Sequence, residues 1–420
     1  MSNFDLPEFF DKNVVFVGKG KEGLNFQKFI ETFGNVKSFR FVDQKEDPSY
    51  LENLKSLDLT NTVVVKTPGC PGRLMTVPYT TPTKVFFQCL RQIGAKSIGV
   101  TGTKGKTTTA SLLAHILKNA GYDVRLCGNI GTPMLEALEN ATQNNVFVIE
   151  LSSYQLSELE VSPDVAIITN LYRDHTDYHG DLNAYWEAKR NIMRYMDENG
   201  AVIFNPEFEM IYHWTADCKA KPLPIDLFEN VDMTKTKIFG DHNKLNYLLA
   251  KKAAEFLGVD AMSCQNGLNT FEPVRHRLEE VRTVRGIKFF DDAIGSNPEA
   301  TIAGIQALVR NRGAVGCVML GGVDRDYDYT ELIKLLNILM IPKLVLFPDT
   351  GAKIKAMLPS DYQPDCFETK DMASAVKWAA ENTPSGSICL LSTAAPSTVL
   401  WSSFEEKGSL FQQAVLELPN

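Results

Sequence analysis

Several absences narrow the chemistry open to this chain. No apolar run approaches the roughly 20 residues that a membrane-spanning helix needs, and the opening MSNFDLPEFFDKN has neither the basic nor the apolar segment of a secretory leader. A cytoplasmic protein with no membrane span is expected. Cysteine is sparse and scattered: Cys70, Cys89, Cys127, Cys218, Cys264, Cys317, Cys366 and Cys389 form no C-x-x-C pair, so no zinc knuckle or small disulfide framework is signalled. Most of these thiols are expected to be small buried hydrophobes. An excess of positive charge is also missing. Lys and Arg number 43 against 51 Asp and Glu, a net −8 that argues against a broad nucleic-acid surface. No repeat of fixed period and no low-complexity tract interrupts the chain.

What is present is an ordinary globular composition, 44% hydrophobic and 22% charged, in 420 residues, a length that suits about three domains. Short apolar runs alternate with helical periodicity. Val14–Val17, Phe39–Val42 and Thr62–Val65 predict strands, with Phe26, Phe29, Ile30 and Phe33 spaced as one face of a helix between the first two. A second cycle has predicted strands at Ser97–Val100, Val146–Ile149 and Val165–Ile168, and a third at Ile287–Phe290, Val315–Leu320, Leu344–Phe347 and Ile388–Leu391. The pattern predicts an α/β protein with parallel sheets in three domains, 1–93, 94–274 and 275–420. The two outer domains are expected to be Rossmann-like, around a central domain with its own parallel sheet.

Thr101-Gly102-Thr103-Lys104-Gly105-Lys106-Thr107-Thr108 lies between a predicted strand and a predicted helix. A phosphate-cradling loop belongs at such a junction: glycines let backbone N–H groups turn toward anionic oxygens, Lys106 adds positive charge, and the Thr107 hydroxyl can reach a magnesium ion. The match to G-x-x-x-x-G-K-[ST] is imperfect, because Val100 holds the first glycine position. A generic strand–loop–helix rich in lysine is the competing interpretation. Near the start, Gly18, Gly20 and Gly23 followed by Asp43 fit the dinucleotide fingerprint, which leaves a nicotinamide, another nucleotide or a purely structural turn open.

Glu150 and His175 both follow predicted strands, where ligands gather in open α/β sheets, and with the loop they suggest a magnesium-type site. A lone histidine is more often structural than a ligand. Lys189, judged by composition, is an ordinary solvated helix lysine.

Taken together these stretches resemble the Mur ligase family, ATP-dependent enzymes that form amide bonds in peptidoglycan precursors. The resemblance is carried by TGTKGKTT at 101–108, GNIG at 128–131, IELSSYQL at 149–156, NLYRDHTDYHG…AYWEAK at 170–189, GDHNKLN at 240–246, RHRLE at 275–279, DDAIGSNPEAT at 291–301, GGVDRDYD at 321–328 and LLSTAAPST…F at 390–404. The order is the family's and spans nearly the whole chain. The LSSYQL, NPEAT and LLS-x-A-x-x-S stretches are most similar to the member that adds glutamate to UDP-N-acetylmuramoyl-L-alanine.

That resemblance implies an ATP-driven ligase with a central P-loop ATPase domain, working through an acyl phosphate. It implies nucleotide contacts at Gly102, Thr103, Lys104, Gly105, Lys106, Thr107, Thr108, Asn129, Asn243, Asn246, Arg277 and Asp292. The UDP-substrate would be held by Gly18, Gly20, Lys21, Asp43 (with Lys45), Gly69, Ser152 and Ser153, and the amino acid by Ser296, Arg325, Ser397 and Phe404. Lys106, Glu150, His175 and Lys189 would be catalytic; Thr107, Glu150, His175 and a CO₂-carbamylated Lys189 would serve the Mg²⁺ ions. Small-molecule substrates and a monomer are expected.

Three departures from the family pattern stand out. Ile294 occupies a position where many D-glutamate ligases carry lysine, Arg325 replaces a lysine of some members, and 420 residues is short for the group. The first leaves D- and L-glutamate both open. A dehydrogenase would leave the phosphate loop, Glu150 and His175 idle. A non-catalytic Mur-like subunit would be expected to carry a cysteine-rich zinc module, and a folylpolyglutamate synthase lacks such an N-terminal domain.

Overall fold

The short apolar runs become strands, and the strands collect into three sheets. The computed structural model describes residues 4–43, 47–173, 176–238, 240–273, 275–325, 327–397 and 400–419, the side chains of Lys21, Thr176 and Asp177 excepted. The first sheet holds β1 (Asn13–Val17), β2 (Ser38–Val42) and β3 (Thr62–Lys66) in the order β2-β1-β3, all parallel. Alternate residues of β1 and β3 face opposite cores: Val14, Phe16 and Val65 pack to one side, Val15, Val17 and Val64 to the other. Burial on both faces explains why these strands read as continuous apolar runs.

The second sheet contains β4 (Lys96–Thr101), β5 (Asp123–Gly128), β6 (Asn145–Glu150), β7 (Val165–Ile168), β8 (Ala201–Phe204) and β9 (Lys221–Pro224), parallel throughout in the order β5-β6-β4-β7-β8-β9. From β4 the chain passes outward to β5, whereas from β6 it crosses β4 to reach β7. The carboxyl ends of β4 and β6 therefore flank a topological switch point, the place where open sheets leave a crevice.

The third sheet contains β10 (Glu279–Val284), β11 (Ile287–Asp291), β12 (Val315–Gly321), β13 (Lys343–Phe347), β14 (Asp365–Glu368) and β15 (Ile388–Leu391), ordered β10-β11-β15-β12-β13-β14. Only the β10–β11 pairing is antiparallel. Period-2 alternation again splits the core: Phe289, Met319, Val345 and Leu391 pack beneath helices Met372–Asn382 and Phe404–Leu416, while Phe290, Val318, Leu344 and Leu390 pack on the opposite face against Ile305, Leu308 and Leu332.

Chain contacts group residues 1–236 with 241–271 in one unit, and 237–240 with 272–420 in another. The strands that the apolar runs predict are all present. Those that pass unpredicted are β5, β8, β9, β10 and β14, and four of these five lie at sheet edges. An edge strand buries less, so sequences such as Glu279–Val284 and Asp365–Glu368 keep charged residues that blunt the hydrophobic signal. Among the described residues six cysteines are buried and Cys218 and Cys366 are half-buried, all as thiols.

Candidate active site

The loop after β4 is built around two glycines that no other residue could replace without strain. Gly102 has φ +145°, and a Cβ there would lie 1.9 Å from Thr169 Oγ1; Gly105 has φ +83°, and its Cβ would lie 2.3 Å from Asn246 Oδ1. The segment after β7 braces the loop. Thr169 Oγ1 and Asn170 Nδ2 donate to the Lys104 carbonyl at 2.6 and 2.9 Å, and Asn170 Oδ1 accepts from the N–H groups of Thr103 and Lys104 at 3.1 and 2.8 Å. Thr103 is further tied by its hydroxyl to the Tyr172 carbonyl, and Tyr185 donates to it at 3.1 Å.

Helix Lys106–Asn119 starts directly from Gly105, which has no side chain to cap it. Elsewhere Thr81, Asp181 and Asn297 cap the starts of their helices. The first-turn N–H groups of the loop helix thus stay directed toward the loop, together with Thr107, half-buried, and Thr108, buried. Asn243 and Asn246, on helix Asp241–Phe256, reach the same corner: Thr109 Oγ1 donates to Asn246 Oδ1 at 3.3 Å, and Asn246 Nδ2 to Asn243 Oδ1 at 3.1 Å.

Two lysines converge on one carbonyl. Lys106 Nζ donates to the oxygens of Gly102 and Thr103 at 3.0 Å each, and Lys189 Nζ donates to Gly102 O at 2.7 Å. Lys189 is 1% exposed, with its ammonium 4.6 Å from the centre of the Tyr185 ring. Like charges crowded in a partly dry site favour an anion. Glu150, the last residue of β6, is 3% exposed, and its Oε2 has no hydrogen-bond partner among the described residues. A buried carboxylate oxygen in that condition suits a cation.

Lys106 and Lys189 border a cavity of about 280 Å³ lined also by Asn129, Ser152, Ser153, Tyr154, Gln155 and Tyr185, with Glu22 from the first turn of helix Lys21–Phe33 and Pro68 from the loop after β3. Ser152 caps the short helix Ser153–Leu156 in a reciprocal box with Gln155, and Ser153 Oγ lies 3.0 Å from His179 Nε2. The Asn129 N–H donates to the Glu150 carbonyl at 3.0 Å. Gly20 begins helix Lys21–Phe33 without a side-chain cap, and Gly18 has φ +101°. Asp43 accepts from the Lys19 N–H at 2.6 Å, closing the glycine turn, while Gly69 is exposed on the loop after β3. That loop is pinned from below. Lys66, fully buried, donates to the Cys70 carbonyl at 2.7 Å, and Tyr178 donates to the Pro68 carbonyl at 2.6 Å. Desolvation pushes the Lys66 ammonium below its usual range.

The second unit gathers its own group. Arg277 and Asp292 are neighbours whose charges interact; burial pushes the Asp292 carboxyl up to about 7, against Arg277 and a 2.8 Å hydrogen bond from Ser392. Arg277 Nε is buried with no partner among the described residues. Beside them His276 Nδ1 lies 2.6 Å from Asp291 Oδ2, and Gln412 Nε2 donates to Glu279 and Asp291 at 3.0 and 2.8 Å. This His276–Glu279–Asp291 cluster is thereby satisfied by its own hydrogen bonds. Ser296, Arg325 and Ser397 follow β11, β12 and β15, which are adjacent and parallel, so all three lie at one edge of the sheet. The Val323 N–H bonds to the Pro396 carbonyl at 2.9 Å, bringing the Arg325 and Ser397 loops together, with Arg325 exposed and Ser397 buried. Phe404 begins the last helix, its ring centre 6.4 Å from that of His276.

Residues 100–233 match the Mur ligase middle domain. A UDP-N-acetylmuramoylalanine–D-glutamate ligase of Thermoanaerobacter pseudethanolicus is 30% identical over 453 aligned residues, covering 97% of this chain and 98% of that one. The chain belongs to the Mur ligase family. An enzyme of the same name from Streptococcus pneumoniae is 28% identical, with 98% and 99% covered. Among solved structures, the MurF ligase of Thermotoga maritima in complex with ADP superposes with a TM-score of 0.63 at 18% identity, over 98% of this chain and 96% of that one. MurC of the same organism gives 0.63 at 20% identity, over 96% and 98%. The α/β architecture of parallel sheets is therefore the Mur ligase fold.

Within this Mur ligase, Lys106, Asn129, Ser152, Ser153 and Lys189 share one cavity. His175 and Lys45 lie outside the described residues, as does the side chain of Lys21. Lys189 corrects its composition-based reading: it is buried, because its helix, Leu182–Arg194, turns Tyr185, Ala188, Lys189 and Ile192 inward. Glu22, Pro68, Tyr154, Gln155 and Tyr185 line the cavity and go unmarked by the sequence. Tyr154, Gln155 and Tyr185 nevertheless sit inside quoted motifs, Pro68 precedes Gly69, and Glu22 falls within the glycine fingerprint itself.

Proposed function

We propose that this ligase joins D-glutamate to UDP-N-acetylmuramoyl-L-alanine at the expense of ATP, in cytoplasmic peptidoglycan precursor synthesis. The single observation that carries the chemical reading is the convergence of Lys106 and Lys189 on the Gly102 carbonyl after β4, with the orphaned Glu150 oxygen at the end of the paired strand β6. The names of the relatives support the substrate.

A carboxylate is a poor acyl donor. The lactoyl-alanine carboxylate oxygen attacks the γ-phosphorus of ATP, the bond to the β-phosphate oxygen breaks, and ADP leaves an acyl phosphate. The glutamate amine then attacks the acyl carbon, releasing inorganic phosphate and a proton as the amide forms. Lys106 and the loop N–H groups stabilise charge on the transferring phosphoryl group, and Arg277 would reach it from the third sheet's domain. Asn129, Asn243 and Asn246 hold the nucleotide, with Asp292 at its ribose or adenine. Gly102, Thr103, Lys104, Gly105 and Thr108 complete the cradle.

Magnesium, when bound, neutralises phosphate charge. Thr107 and Glu150 fit one ion, the orphaned carboxylate oxygen being the supporting feature. His175 is proposed for a second. Carbamylation of Lys189, in which the neutral amine adds CO₂ and a proton is released, would replace one of two crowded cations with a carboxylate able to orient that ion. The residues of 1–93, with Ser152 and Ser153, hold the UDP-substrate; 94–274 transfers phosphate; 275–420 captures the amino acid through Ser296, Arg325, Ser397 and Phe404. A monomer suffices for this division.

Ile294 keeps L-glutamate as the second reading, since its half-buried apolar side chain cannot supply the charge of the lysine that many D-glutamate ligases carry there. The test is phosphate release with UDP-N-acetylmuramoyl-L-alanine, ATP and Mg²⁺, with each glutamate enantiomer in parallel. Release with D-glutamate is expected, lowered on the order of 10²-fold or more in Lys106→Ala. Release only with L-glutamate would move the assignment, and none with either would refute it.

A further inference from the structure

Glu22 is an acid in a place built for anions. It stands in the first turn of helix Lys21–Phe33, within the glycine turn, and lines the same cavity as Lys106 and Lys189. An ionised carboxylate there would repel the diphosphate and the carboxylate that the functional reading brings to this cavity. We propose that Glu22 meets the UDP-substrate as a neutral carboxylic acid that donates a hydrogen bond to an anionic oxygen, so that substrate binding takes up a proton.

The surroundings support this. Burial pushes the Glu22 carboxyl up to about 7, while a 3.5 Å hydrogen bond from Thr67 Oγ1 and the charge of Lys66 pull it back. Thr67 packs closely over Gly18, its Cγ2 2.4 Å from where a Cβ would stand, so glycine at this position leaves the space that the Thr67 side chain fills. Lys66 is committed to the Cys70 and Thr67 carbonyls at 2.7 and 3.4 Å, with Glu158 3.9 Å away. Among the described residues, the other charged or titratable groups lining the cavity are Lys106 from the phosphate loop, Lys189 and Tyr185 from helix Leu182–Arg194, and Tyr154. Both lysines donate to the Gly102 carbonyl of the phosphate loop. An incoming anion beside Glu22 raises its proton affinity further, so the neutral form is the one that binds. A protonated carboxyl is then a donor placed where the turn would otherwise present an acceptor.

The proposal rests on the assignment of this cavity to a UDP-linked acceptor, and the experiment separates the two. Titration calorimetry with UDP-N-acetylmuramoyl-L-alanine, in buffers of different ionisation heat, should show proton uptake near pH 7.5. The dissociation constant should rise about fivefold between pH 7 and pH 8, the factor expected when a group titrating near 7 must be protonated to bind. Glu22→Gln, whose amide donates without titrating, should remove both effects. UDP alone provides a second arm: a pH dependence shared with UDP assigns the diphosphate as partner, and one confined to the full substrate assigns the alanine carboxylate. Wild-type binding without proton uptake overturns the proposal, and needs no variant to be informative. So does a pH slope that survives in a folded Glu22→Gln. Absence of binding by either ligand overturns the reading of the cavity itself.

Discussion

Asp292 shows how burial turns a residue into a pH-dependent element of stability. Its folded carboxyl is raised from 3.8 to about 7, chiefly by desolvation, although Arg277 and Ser392 favour the ionised form. A carboxyl raised on folding holds its proton longer in the native state than in the unfolded chain. Its contribution is therefore complete below 3.8 and is lost as pH rises through about 7. The urea midpoint of the wild type should fall relative to that of Asp292→Asn between pH 4 and pH 7, and run parallel to it above. A constant difference would show Asp292 ionised throughout and paired with Arg277. None of this is visible in DDAIG as a string. At this scale the sequence marks which residues carry chemistry, such as Lys106 and Glu150, but not their state. Lys189 reads as solvated and is buried, and Glu22, unmarked in the sequence, lines the cavity.

At the scale of elements, glycine motifs carry more than their composition suggests. Gly102 and Gly121 both have positive φ, +145° and +89°, yet nothing lies within 4 Å of a Cβ on Gly121, while Thr169 blocks Gly102 at 1.9 Å. Gly121→Ala should cost about 1 kcal/mol, the left-handed backbone alone. Gly102→Ala should cost about 3 kcal/mol, since strain and displacement of Thr169 add, and it should weaken ATP binding as well. Denaturant unfolding and nucleotide titration of the two variants check this, and equal costs would mean that the Thr169 brace yields freely. The interior strands other than β8 are legible because both their faces are buried, so apolar residues run nearly uninterrupted. Edge strands such as β9, Lys221–Pro224, lack that signature because one side of their ladder and much of their side-chain surface stay wet. The phosphate loop is legible despite its missing first glycine, because its chemistry needs Gly105 and Lys106 at a strand–helix junction.

At the scale of the molecule, the third sheet carries a core on each face, filled from its own helices. A fragment spanning 272–420 should therefore fold alone and unfold cooperatively by circular dichroism; a non-cooperative melt would show that it depends on the rest of the chain. In the other unit one core runs from Phe4 and Phe16 through Phe86 to Phe147 and Ile168, joining the packing of the first two sheets. Periodicity alone does not reveal that continuity, because the contacts join residues far apart in sequence.

The sequence by itself determined the α/β class, the order of the motifs and the family. Those properties are local: the period of apolar residues, glycines at strand ends and short strings of reactive side chains survive as text. Tertiary structure alone decided that Lys106 and Lys189 share the Gly102 carbonyl, that Glu150 keeps an oxygen without a partner among the described residues, and that Glu22 enters the same cavity. Those properties depend on desolvation and on distances between segments more than 80 residues apart, as between Lys189 and Gly102 with a separation of 87. Charge and proton affinity are set by what surrounds a group, and only the fold brings those surroundings together.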